Sequence, residues 1–377
     1  MNSIERHESR YKRRVAKREA RHRERSEPYD NYDDVMSFEN LYRSADKIVL
    51  GVAWKASIQR FIKKKPSTVY KIYDEVARRT YAPDPFYEFE IHERGKVRRI
   101  RSCTVRDRNV QRCLCDYSLV PLISQSFIYD NGASMKGKGY HFSIRRLEYH
   151  LREHYVKHGN DGYILLFDFN KFFDNVPHDV LERIINSAYT DCSMRDLIMD
   201  IVRSFGPIGL GLGSHVSQLL ALASANALDH YIKEVLRIKG YGRYMDDGYL
   251  IHESKEYLGK CLEEIKRICD ELGIVLNLKK THIVKISHGF TYIKSRFIVT
   301  DSGKIIRKMP RRSITKMRQK MKKLKKKYDA GLLTDEQIYQ AYQSWRAYAK
   351  GFNAYRTIQS MDALYKELFS GKGDKFI

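Results

Sequence analysis

Three carboxylates in this chain stand where ionisation is costly. Asp168 ends the run Tyr163-Ile164-Leu165-Leu166-Phe167, and Asp246 and Asp247 sit side by side in GYGRYMDDGYL, Gly240 to Leu250. The first run reads as a strand buried on both faces. A carboxylate at its end must be hydrogen-bonded, paired or bound to a metal, and adjacent aspartates raise each other's cost of ionising. Taken singly, each has a plain alternative: Asp168 could cap the following turn, and Asp246-Asp247 could shape a hairpin. Taken together, in a chain of formal net charge +24, they ask for a shared cation. If the two strands are neighbours in one sheet, the three carboxylates converge, and hard oxygen donors with open positions suit Mg²⁺. Two such ions, roughly 3.5–4 Å apart, can activate a 3′-hydroxyl and stabilise a leaving pyrophosphate in in-line phosphoryl transfer.

The elements that must position these groups are legible on either side. GYILLFDFNKFFDNVPHDVLERII reads as strand, turn and helix, with Pro177 near the first helical turn. Asp247-Gly248 is a hairpin dipeptide. Upstream, Phe38–Ala53 and Pro66–Ala77 read as helices. FYEFEIHERGKVRRIRSCTV alternates across Arg94-Gly95 as a hairpin with a basic second strand. RDRNVQRCLCDYSLVPLISQSF follows as one helix. Ser193–Phe205 is helical and ends at the glycine-rich loop GPIGLGLGSHVSQ, followed by a small-residue helix, LLALASANALDHYIKEVL. SKEYLGKCLEEIKRICDELG is an amphipathic helix closed by Gly273, and short strands run on through Ile306.

From Lys308 the character changes. Met317, Met321, Leu324 and Tyr328 fall on one helical face, with lysines over the rest. Thr334 and Gln337 make a capping-box pattern for a helix carrying Ile338, Tyr342 and Trp345. Trp345 and Tyr355 are read as core. These patterns divide the chain into a basic N-terminal arm, 1–30, a central body, 31–307, and a basic helical domain, 308–377.

The 377 residues suffice for two or three domains, and a hydrophobic share of 42% argues for a folded chain. So large a positive excess fits a polyanionic partner. No apolar run is long enough to span a bilayer, which argues against a membrane role. The start, MNSIERHESRYKRR, lacks a secretory leader, and Cys103, Cys113, Cys115, Cys192, Cys261 and Cys269 show no paired CxxC spacing. Reduced thiols and a cytoplasmic setting are expected. The Arg-rich first 30 residues, interleaved with glutamates, read as a solvated helix or disordered arm before an RNA-binding one.

With these residues in view the chain resembles a reverse transcriptase. YMDD at Tyr244–Asp247, LLFDFNKFFDNVPH upstream and LNLKKT (Leu276–Thr281) downstream appear in that family's order. GKVRRIRSCTVRDRNVQR and NGASMKGKG extend the likeness, which covers roughly residues 85 to 300 well and the tail more loosely. The resemblance implies an α+β right-hand polymerase: fingers, an antiparallel-sheet palm and a helical thumb. It implies that Asp168, Asp246 and Asp247 hold two Mg²⁺ ions, with Mn²⁺ as an alternative, and that the backbone of Phe169 lies at the metal site beside the triphosphate. Phe173 would be the bulky gate that rejects a 2′-hydroxyl, against ordinary core packing. Lys96 and Arg98 would grip the triphosphate, against a solvated basic strand. Lys280 would protonate the leaving pyrophosphate, with Lys279 an adjacent rival. The tail would be the thumb, with Lys316, Lys320, Lys323 and Lys327 following the backbone of an RNA–DNA hybrid.

One departure narrows the resemblance. Most reverse transcriptases carry proline-glutamine-glycine, then serine-proline, in the loop that touches the nascent base pair. Here Gly211–Gln218 reads GLGSHVSQ, with Leu212 in place of glutamine, then Gly213, and Gln218 in place of proline. That form is similar to the enzymes of bacterial and phage diversity-generating retroelements. These copy a template RNA into cDNA from dNTPs with errors, notably opposite adenines, and work with a small basic accessory protein. Leucine cannot make the polar check that a glutamine amide can, and loss of such a check weakens discrimination; the plainer reading is that Leu212 only packs the loop. Two rival readings stand beside this one. A retron-type or phage-defence reverse transcriptase would share the chemistry. A maturase-like RNA-binding scaffold would have no need for three carboxylates. No RNase H or endonuclease domain is expected after residue 300.

Overall fold

The alternation in Phe86–Val105 produces a hairpin. β1 (Tyr87–Glu93) pairs antiparallel with β2 (Lys96–Ser102), with Phe89 opposite Ile100 and Ile91 opposite Arg98. A computed structural model describes residues 3–93 and 96–369. The Arg94-Gly95 turn and the side chains of Lys96 and Arg98 lie outside the described residues.

The apolar run before Asp168 forms β3 (Tyr163–Asp168), with Ile164, Leu165 and Phe167 buried. β4 (Tyr241–Tyr244) and β5 (Asp247–His252) make an antiparallel hairpin in which Tyr244 faces Asp247. The strands lie in the order β4, β5, β3, so the two carboxylate-bearing segments are neighbours in one sheet. Gly248 permits this closeness: a Cβ there would stand 2.1 Å from the Phe167 ring. The helices His178–Ala188, Cys192–Arg203 and His215–Ser224 bury Leu181, Ile185, Ile198, Ile201, Val216 and Leu220.

The chain divides into two compact units: Met1–Leu147 with Leu165–Leu250 and Glu256–His282, and Glu148–Ile164 with Ile251–Lys255 and Ile283–Ile377. β6 (His282–Lys285) leads into the second. There β7 (Phe290–Tyr292), β8 (Ser295–Val299) and β9 (Ile305–Lys308) form an antiparallel sheet. Three helices, Arg311–Asp329, Asp335–Lys350 and Tyr355–Phe369, close around Met317, Met321, Tyr342 and Met361. The Thr334–Gln337 capping box is present with both of its bonds.

Some boundaries differ from the pattern reading. The helix read over Phe38–Ala53 stops at Ile48, where successive turns (Leu50 N to Lys47 O, Val52 N to Val49 O) replace the helical ladder. The stretch read as one helix over 106–127 changes to a π-turn at Cys115–Leu119. Pro121 lacks the N–H that an α-helical ladder would need there, and a wider turn accommodates the break. The helix read over 219–236 breaks at Ala225 and also ends in a π-turn, Tyr231–Val235. Trp345 packs on the helical core as expected, but Tyr355 does not: at the first position of its helix it is 74% exposed, and Ile358 and Met361 take the inward face. Among the described residues no helix is long and apolar enough to cross a membrane.

Candidate active site

The backbone joins the two carboxylate segments directly. The Phe169 amide donates to the Asp246 carbonyl at 3.1 Å. Asp168 is 5% exposed, while Asp246 and Asp247 are half-buried. LNLKKT lies against the other side. The Asn277 amide donates to the Asp168 carbonyl at 2.8 Å and its side-chain Nδ2 to Asp168 Oδ1 at 3.0 Å. Lys280 Nζ donates to Asp168 Oδ2 at 2.6 Å, so Lys280 rather than Lys279 is the lysine that reaches this carboxylate. Burial would lower the Lys280 pKa. The bond and charge of Asp168, then the charges of Asp247 and Asp246, outweigh that and carry it above the ordinary lysine value. One ammonium therefore feels all three carboxylates.

Among the described residues no three His, Cys, Asp or Glu side chains are already gathered as a metal cage. The donor set nonetheless fits a hard divalent cation: it is made of carboxylate oxygens and it already attracts a cation, Lys280. For a metal to take Asp168, the ammonium must give way. The backbone of Phe169 stands at the centre of this arrangement, bridged to Leu276 on one side and bonded to Asp246 on the other. Its ring is buried against Phe167 and Phe172, at 5.5 and 5.0 Å between centroids.

The turn that presents Asp246 rests on an ion pair that the sequence reading missed. Arg243 and Asp229 are both fully buried, joined by Nε to Oδ1 at 2.7 Å and Nη2 to Oδ2 at 2.6 Å. Burial alone would lower the guanidinium's pKa, but the Asp229 carboxylate holds it above the usual arginine value. Tyr241 Oη adds a hydrogen bond to Asp229. The third edge of the guanidinium, Nη1, donates to the Met245 carbonyl at 2.9 Å. Met245 has φ +54°, a left-handed conformation that costs a non-glycine residue energy and needs outside support. Arg243 supplies it one peptide before Asp246. The outer edge of β4 is covered in turn: Gly132 N donates to Arg243 O at 2.9 Å, and Arg243 N to Asp130 O at 3.2 Å. A lone arginine inside GYGRY was the available signal for this role.

The glycine-rich loop is fastened to the turn that carries Phe173. Leu210 N donates to Phe173 O at 2.7 Å and Gly209 N to Val176 O at 2.9 Å. Gly209 has φ +82°, and a Cβ there would lie 2.5 Å from the Asp174 carbonyl, so only glycine fits. Phe173 and Leu212 are half-buried. Gly213 approaches β2, its Cβ direction ending 3.6 Å from the Arg101 carbonyl. Ser214 caps the next helix through Ser217 N and bonds Gln111 at 2.7 Å. Gln218 accepts from Ser134 Oγ at 3.0 Å, which ties the loop to NGASMKGKG.

Residues 84–330, well over half of the chain, match the family described as reverse transcriptase (RNA-dependent DNA polymerase). This chain belongs to the reverse transcriptase family. No curated protein matches it. Among solved structures it is similar to apo telomerase from Candida tropicalis truncated from its C-terminal domain, at 10% identity and a TM-score of 0.45 over 59% of this chain and 55% of that one. It is also similar to telomerase from Candida albicans in complex with a TWJ fragment of telomeric RNA, at 11% identity and a TM-score of 0.48 over 78% of this chain and 62% of that one. The chain thus spans less than two thirds of either telomerase chain.

The mixed helix-and-sheet architecture is the one expected of a reverse transcriptase. Within the first unit the structure brings Asp168, Phe169, Asp246, Asp247 and Lys280 to one place, and gathers Phe173, Leu212, Gly213 and Gln218 on one fastened loop and its supports. Lys96 and Arg98 keep only a backbone position, on β2. Lys316, Lys320, Lys323 and Lys327 are exposed on one stripe of helix Arg311–Asp329, in the second unit.

Proposed function

We propose that this protein is an RNA-directed DNA polymerase of the error-prone, diversity-generating type, copying a template RNA into cDNA. The observation that carries the polymerase reading is the Phe169 N to Asp246 O bond, which brings carboxylates from two distant segments to one sheet end beside Lys280. Asp168, Asp246 and Asp247 would hold two Mg²⁺ ions, with the Phe169 backbone alongside. Such ions neutralise charge on the attacking and leaving oxygens of phosphoryl transfer. Lys280, released from Asp168, donates the proton to the leaving pyrophosphate. Phe173 packs beneath the incoming sugar, and Lys96 and Arg98 hold its triphosphate. Residues 31–307 serve as fingers and palm and 308–377 as thumb, whose exposed lysines follow the hybrid's phosphates. A small basic accessory protein and a cytoplasmic setting complete the reading.

The subtype rests on Leu212. Its loop is fastened to the Phe173 turn, which supports reading Leu212 as an apolar side chain where a polar one would inspect the base pair. Primer extension on a defined RNA, followed by sequencing of the cDNA and counting of errors by template base, tests activity and subtype together. Leu212→Gln is expected to lower misincorporation opposite adenine by about tenfold, the scale of one polar discrimination contact. Equal error spectra for the two proteins remove Leu212 from the fidelity account.

A further inference from the structure

From Lys47 to Tyr73 the chain carries seven lysines and arginines and no acidic residue. Lys47 is paired with Asp116 at 2.6 Å and Lys65 with Asp46, but Lys55, Arg60, Lys63, Lys64 and Lys71 are exposed. In the middle of them stands Trp54, 78% exposed, with Leu50 at 74% and Tyr70 at 61%. The core-facing positions of this segment are already filled by Ile58, Phe61, Val69 and Ile72, all buried, so Trp54 is no displaced core residue. Nor does it sit on a loose loop. Lys55 N donates to Val52 O at 3.0 Å, Val52 N to Val49 O at 3.3 Å, and the Gln59 side chain donates to Ala53 O. Lys55 Nζ lies 5.5 Å from the indole centroid, and helix Ala56–Lys63 starts two residues after the indole. That helix is about 12 Å long at 1.5 Å per residue, and it ends in Lys63 and Lys64.

We propose that Trp54 and the cations of helix Ala56–Lys63 form a binding site for single-stranded RNA, with a base stacked on the indole and adjacent phosphates on Lys55, Arg60, Lys63 and Lys64. A flat π-face among ammonium and guanidinium groups, with no carboxylate in the segment, is complementary to a nucleotide strand and repels a basic partner. Stacking on an aromatic platform beside a positive track is sequence-tolerant and salt-sensitive. The proposal rests on the polymerase reading only for the identity of the strand, the unpaired template.

The chain has two tryptophans, so the emission difference between wild type and Trp54→Phe isolates Trp54. Full-length protein is titrated with a 12-nucleotide oligouridylate without dNTPs, and a labelled copy of the same RNA gives the affinity. The expected result is saturable quenching of the Trp54 component that weakens as salt rises. Trp54→Ala should lose affinity by about 5- to 100-fold, the range of one base–aromatic stack, and Trp54→Phe should recover most of it. Unchanged Trp54 emission while the RNA binds equally to wild type and Trp54→Ala overturns the site. Quenching that grows with protein concentration in the absence of RNA also overturns it, marking the patch as a face between copies of the chain. Asp246→Asn protein is titrated in parallel: quenching there together with extension at the wild-type rate sinks the catalytic reading alone, and extension by wild type without quenching sinks this one alone.

Discussion

Asp246→Asn is expected to lower primer extension on an RNA template by on the order of 10³-fold or more, with RNA affinity changed by less than about twofold. The substitution keeps size and shape and removes one negative charge from the metal donors. It leaves untouched the Asp246 carbonyl, which accepts from Phe169 N at 3.1 Å and ties the two segments together. The sheet should therefore stand while the site loses charge. In the proposed function RNA affinity comes from phosphate contacts of basic residues away from Asp246, so it should not follow activity down. Single-turnover extension with saturating RNA measures the first quantity and a filter-binding titration the second. Extension at the wild-type rate would remove Asp246 from the metal site.

The second large effect belongs to a residue that touches no substrate. Arg243→Met leaves Asp229 charged, fully buried and without its guanidinium partner, and breaking such a pair costs about 3–5 kcal/mol. A shift of the urea midpoint at constant slope reads that loss. Replacing both partners, Arg243→Met with Asp229→Leu, should restore much of the stability, since a well-packed apolar pair is often neutral or better than a buried ion pair. It should not restore extension. Only the guanidinium offers Nη1 to the Met245 carbonyl at 2.9 Å, and the φ +54° turn that presents Asp246 loses its support without it. A double variant that is stable and polymerises like wild type would confine Arg243 to packing.

Local pattern made parts of this molecule readable and tertiary contact hid others. The apolar run before Asp168, the Asp247-Gly248 hairpin and the Thr334–Gln337 box announce themselves because each is fixed by neighbours a few residues away. The Arg243–Asp229 pair was hidden because it joins a strand to a separate helical segment, and nothing in a strand's alternation says which partner a lone arginine finds. Asn277 lies within LNLKKT, where nothing local assigns it a task. Its bonds to Asp168 join residues 109 apart in sequence, brought together where Phe169 pairs with Leu276. Of the rival lysines, sequence left two, and it is Lys280 that reaches Asp168, at 2.6 Å. Tyr355 misled for the opposite reason: an aromatic near a core helix looks apolar, but the first helical position pointed it to water.

The heart of the account is that divalent ions bridge residues 168 and 246–247, and iron-directed cleavage measures this without reference to activity. Fe²⁺ substituted for Mg²⁺, with ascorbate and peroxide, cuts backbone close to where it is bound. The account predicts paired cuts, one next to Asp168 and one next to Asp246-Asp247, both suppressed by excess Mg²⁺ and both lost in Asp246→Asn. Cuts at one segment alone, or cuts indifferent to Mg²⁺, would contradict it.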